Sequence, residues 1–148
     1  MTEAPDRDWL CRKIVEESPV AILFADREGK IRLWNHGAEA MFGYTADEAL
    51  GQSMDLIVPE RQRARHWEGW ERVMATGVTR YGREVLAVPA LKKDGSRISV
   101  EFYILLLRAP TGEILGAASV LQDVTARWQQ QKELKARLQA LEAKATEG

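Results

Sequence analysis

The stretch that most constrains the fold runs from Val20 to Tyr44. An apolar segment, Val20-Ala21-Ile22-Leu23-Phe24-Ala25, meets the turn Asp26-Arg27-Glu28-Gly29 and then the alternating segment Lys30-Ile31-Arg32-Leu33. Apolar run, tight turn and alternation together read as a β-hairpin. The segment Trp34-Asn35-His36-Gly37-Ala38-Glu39-Ala40-Met41-Phe42-Gly43-Tyr44 follows at once. Asn35 falls where the sheet hands over to helices, and its amide is suited to holding the backbone of that crossing.

With 148 residues, 45% of them hydrophobic, the chain suits one domain with one real core. The net charge of −1, with both signs interspersed, points to neither nucleic acid nor a membrane surface as partner. No apolar run approaches a membrane span, and the N-terminus shows no signal-peptide pattern. The single cysteine, Cys11, has no disulfide partner and reads as a small hydrophobe on a helix. A cytoplasmic, reduced location is expected.

Along the chain, Asp8 is expected to cap a helix over Trp9 to Glu17 whose apolar face carries Leu10, Cys11, Ile14 and Val15, stopped by Ser18-Pro19. After the hairpin, a helical turn over Ala38 to Phe42 closes on Gly43, and Thr45 with Glu48 has capping-box spacing. Ser53 to Val58 reads as an apolar link, and Pro59 to Ala75 as the longest internal helix, ended by Gly77. His66, Trp70 and Val73 lie on one stripe of it, Trp67, Trp70 and Met74 on the next. Three strands follow: Glu84 to Leu91, with Pro89 marking an edge, bulge or strand end; Arg97 to Leu107; and Ile114 to Gln122. The turn Lys92-Lys93-Asp94-Gly95-Ser96 links the first two. The sum is an α+β fold: a five-stranded antiparallel sheet with short helices on one face. An N-terminal flanking helix (1–17) and a C-terminal linker helix (126–148) bracket a domain spanning 18–125.

Several motifs in this order resemble the PAS domain, the S-box type of bacterial sensor module. They are Ser18-Pro19, Trp34-Asn35 with Gly43-Tyr44, Lys93-Asp94-Gly95, Gly112-Glu113 and the closing Asp123-Val124-Thr125. The resemblance spans about Val15 to Arg127 and implies a sensor rather than a catalyst. In such domains the helices and the inner face of the sheet enclose a pocket, and a ligand or redox change there shifts the flanking helices. The output, in transcription or a phosphorelay, is then expected on an unidentified signalling partner.

No enzyme constellation is legible: there is no Gly-x-Ser-x-Gly, phosphate loop, His-Glu-x-x-His or paired Cys-x-x-Cys. The resemblance extends to the haem-binding PAS domains of rhizobial oxygen-sensor kinases and of the enteric direct oxygen sensor, where His66 takes the place of the proximal histidine. It implies haem b with His66 as axial ligand to the iron, in a pocket walled by Trp70, Val73, Met74, Leu86, Ile98, Val100, Phe102 and Leu121. Leu86 stands where those sensors place a distal arginine, so bound O2 would gain no hydrogen bond. The alternative is a small apolar metabolite or no ligand, with those residues, Phe24, Leu33 and Leu56 forming core. A light-sensing flavin is not expected, because neither its cysteine nor its glutamine is present.

Beyond Arg127, Leu134, Leu138 and Leu141 are spaced four and three apart, the seam of a two-helix coiled coil about two heptads long. A parallel homodimer through the flanking helices is expected. Without a ligand, the chain would serve as a dimerisation and interaction module.

Overall fold

A computed structural model describes residues 4–79 and 86–147. The elements in chain order are α1 (Arg7–Glu17), β1 (Ala21–Asp26), β2 (Ile31–Trp34), α2 (His36–Phe42), α3 (Ala46–Ala49), a 3-10 turn (Met54–Leu56), α4 (Glu60–Thr76), β3 (Leu86–Leu91), β4 (Arg97–Arg108), β5 (Ile114–Asp123) and α5 (Thr125–Glu147). The five strands form one antiparallel sheet in the order β2-β1-β5-β4-β3. The fold is α+β, as the sequence predicts. Of the predicted strand Glu84 to Leu91, Glu84, Val85 and the side chain of Leu86 lie outside the described residues. Pro89 is tolerated because β3 is an edge strand, where a missing N–H breaks no second ladder.

Local chemistry sets most boundaries. Asp6, not Asp8, caps α1: its carboxylate accepts from Trp9 N at 2.7 Å, which moves the helix start to Arg7. Most of the predicted apolar face of α1 is uncovered: Leu10, Cys11 and Ile14 are exposed and only Val15 is half-buried. Asn35 caps α2 and Gly43 ends it with φ 85°, a left-handed conformation that costs glycine nothing. The Thr45–Glu48 capping box is present at α3. The predicted link Ser53 to Val58 contains the 3-10 turn, capped by Ser53 on Asp55 N at 3.1 Å.

The main core joins both halves of the chain. Leu23, Ile31, Phe42 and Val100 are fully enclosed, and Trp34, Ile98 and Leu121 are buried beside them. Each such side chain contributes about 1.5–3 kcal/mol by leaving water. Burial alternates along β1, with Ala21, Leu23 and Ala25 inside. Phe24 is therefore on the outer face, paired with the exposed Leu33. The expectation that these two line the interior is corrected by this parity.

Candidate functional site

The helix α4 lies against the inner side of the sheet and carries the predicted site. Two indoles anchor it. Trp67 Nε1 donates to Asp55 Oδ1 at 2.7 Å, and Trp70 Nε1 donates to the Arg27 carbonyl at 2.9 Å. The Trp67 ring covers Gly29 so closely that a Cβ there would fall inside it, and Gly29 also has φ +80°. The anchored turn is itself tied to β5, since Arg27 Nη1 donates to the Ile114 carbonyl at 2.9 Å. Thus α4, the hairpin turn, the 3-10 turn and the far strand form one bonded unit.

His66 completes a triangle of rings with the two indoles, which lie 6.2 Å from each other. Its ring lies 4.7 Å from that of Trp67, edge-on, and 6.1 Å from that of Trp70 at 30°. Burial holds its pKa below the ordinary 6.5, the opposing pull of the Asp55 carboxylate being weaker. The imidazole is neutral at pH 7. Its Nδ1 is buried and has no hydrogen-bond partner among the described residues, and neither does Gln62 Oε1, one turn earlier on α4.

The predicted wall residues other than Leu86, whose side chain lies outside the described residues, are brought together, but in two groups. Ile98, Val100, Leu121 and the half-buried Phe102 belong to the main core, whereas Val73 and Met74 pack with Ile114 and Ala117 in a second cluster. Trp70 touches both. Leu121 also floors an open groove between α2 and the β5–α5 junction, with Val20, Gly37, Met41 and Val124. Sequence reasoning missed Gln62, whose only signal is its i, i+4 relation to His66. It also missed Asp55, Arg27 and Gly29, which meet α4 only through tertiary structure.

The fit of haem follows from this packing. A macrocycle needs open space in front of the ring nitrogen that holds its iron, between walls that stand apart, and the residues expected to form those walls are instead packed on one another in two core clusters. The wall strands are packed as core. The residues in this arrangement do not fit haem, and no chemistry is derived through it. No group of three or more metal-binding side chains occurs among the described residues.

A second assembly lies at the β5–α5 junction. Thr125 Oγ1 donates to Asp123 Oδ1 at 2.6 Å and accepts from Ser99 N at 2.9 Å, while Val124 N donates to the Ser99 carbonyl at 2.8 Å. Arg127 pairs with Glu101. The first turn of α5 is therefore fastened to β4, and beyond Trp128 the helix projects freely with Leu134, Leu138 and Leu141 58–64% exposed.

Comparison with known proteins places this geometry. A family model described as PAS fold matches residues 15–129. The chain is 37% identical over 60 residues to Sensor protein FixL of Bradyrhizobium diazoefficiens, covering 40% of this chain and 12% of that protein. It is 30% identical over 125 residues to the cell-division control histidine kinase PdhS of Brucella ovis, covering 82% of this chain and 11% of that one. It thus spans only about an eighth of the length of these relatives. The crystal structure of the PAS domain of a protein from Colwellia psychrerythraea superposes with a TM-score of 0.72 at 21% identity, over 82% of this chain and 99% of the other.

Proposed function

The chain belongs to the PAS-fold family, and on that premise we propose that it is a sensory module that relays a change at the α4 wall to α5, and through α5 to a second copy of itself and a partner carrying the output. The observation that carries the reading is the β5–α5 junction. Three interactions fasten the start of α5 to β4 and a fourth ties it to the end of β5, so a shift of the sheet must move the helix, whose exposed leucines await a partner. Arg137 and Glu142 flank the leucine seam five residues apart. In a parallel pair those positions face each other with opposite charge.

Sedimentation tests the dimer. The full chain is expected to sediment as a dimer and a chain lacking residues 126–148 as a monomer; a full chain that stays monomeric at high concentration overturns the reading. Cysteines at Leu134 and Leu138 are expected to cross-link, and one at the outward Lys132 is not.

A haem-binding reading has one observation in its favour, the unpartnered Nδ1 of His66. Because the expected wall residues are packed as core, added hemin is expected to give no Soret shift that His66→Ala abolishes. A His66-dependent shift would restore haem as the ligand. No helix among the described residues is long and apolar enough to cross a membrane.

A further inference from the structure

The sensory reading leaves open what α4 would sense, and one flank of that helix bears on it. Gln62, His66, Gly69 and Val73 follow one another at steps of four, three and four residues, so they share a single flank. Gln62 Oε1 and His66 Nδ1 are buried there without a partner among the described residues. Native proteins leave few such atoms unpaired, and each costs about 1–3 kcal/mol when they do. Two on successive turns share one explanation more economically than they have two. Beside them, a Cβ built on Gly69 meets no atom within 4 Å, so the same flank has open space.

From this we infer that Gln62 and His66 are the polar end of a subsite for a small uncharged molecule bearing a hydroxyl on an apolar body, with Gly69 giving the room and Trp70 and Val73 the apolar wall. The inference rests on the sensory reading and specifies its ligand. The uncharged character follows from the neighbours. His66 is neutral, and the Arg63 guanidinium and the Asp55 carboxylate pair with each other at 4.0 Å. No free countercharge remains among these groups for an ion. The hydroxyl follows from donor and acceptor counting. An amide oxygen only accepts, whereas the neutral imidazole nitrogen accepts or donates according to its tautomer. A hydroxyl, which does both, answers either arrangement. The Trp70 indole N–H is taken by Arg27, so that ring offers the ligand only its surface.

Phenol is a suitable probe and toluene its counterpart without the hydroxyl, read by NMR of the full chain at the histidine ring nitrogens and tryptophan indole N–H groups. Phenol is expected to shift His66 and Trp70 saturably and to bind about tenfold tighter than toluene, the worth of a buried hydrogen bond. Gln62→Leu and His66→Phe are each expected to bring phenol to the toluene level. Gly69→Ala is expected to weaken both probes while the helix itself becomes more stable. Equal binding of phenol and toluene, or binding of neither, overturns the proposal. If Gln62→Leu raises the melting temperature with no phenol binding to lose, the flank holds an ordered water only, which also overturns it. Cross-linking at Leu134 keeps the two readings apart. Phenol binding that leaves cross-linking unchanged preserves the subsite and defeats the relay, whereas a chain that cross-links but binds neither probe defeats the subsite alone.

Discussion

Asn35 uses its whole amide. Oδ1 accepts from Ile22 N at 2.8 Å and Ala38 N at 2.9 Å, while Nδ2 donates to the carbonyls of Val15 at 2.7 Å and Val20 at 3.0 Å. One side chain thus joins the end of α1, the start of β1 and the cap of α2, and it is only 3% exposed. Asn35→Ala strands several of these groups and is expected to cost about 3 kcal/mol, measured by urea denaturation. Asn35→Asp keeps both accepted bonds but turns a carboxylate towards the two carbonyls, so it is expected to restore only part of the loss. At His66 the sign of the pH dependence follows from burial. Its folded pKa lies below the unfolded 6.5, so the unfolded chain binds the proton first. Stability is expected to be full above pH 6.5, to fall as pH drops through that value, and to stop falling once the folded pKa is passed. His66→Phe should flatten that segment of a stability-against-pH curve.

Among the elements, α4 is held by two indole hydrogen bonds and α5 by its first turn. Trp70→Phe keeps most of the ring but removes the bond to Arg27, and the expected loss is about 1 kcal/mol in urea unfolding. Cutting the other attachment gives a different signature. Glu101→Gln weakens the pairing with Arg127, so hydrogen exchange is expected to accelerate in the first turns of α5 while the sheet remains protected. These attachments also show why some elements were legible in the sequence and others were not. The hairpin, the α2 and α3 caps and the β3–β4 turn are decided within a few residues, and their glycines, Asn35 and Thr45 announce them. The orientation of Phe24 and Leu33 is decided elsewhere: β1 is apolar throughout, so it has no alternation to read, and a register irregularity between Phe24 and Ala25 breaks the alternation of β2, leaving Ile31 and Trp34 inside and Leu33 out. Asp6 displaced Asp8 as a cap because both have capping chemistry and only the path of the chain decides between them. The histidine on α4 was visible as a residue type, but its setting depended on Arg27 and Asp55, which nothing local connects to it.

For the whole molecule, the order of the strands matters most. The first strand and the last are neighbours at the middle of the sheet, with Ala21 opposite Leu121 and Asp26 opposite Gly116. The leucine-bearing α5 therefore leaves the domain beside the point where α1 leads into it, so both flanking helices attach at the same end of the sheet. The same adjacency governs biosynthesis. A ribosome delivers β1 and β2 early, then β3 and β4, yet these two pairs have no contact ladder with each other until β5 is threaded between them. The contacts that complete the sheet are long-range, and their formation carries the loop-closure entropy of nearly the whole domain. A nascent chain halted at residue 113 is expected to show no cooperative thermal unfolding by circular dichroism, although four of its five strands have been made. The sheet of this domain can therefore close only once β5 has been made, and until then the apolar faces of the two strand pairs have no shared core to enter.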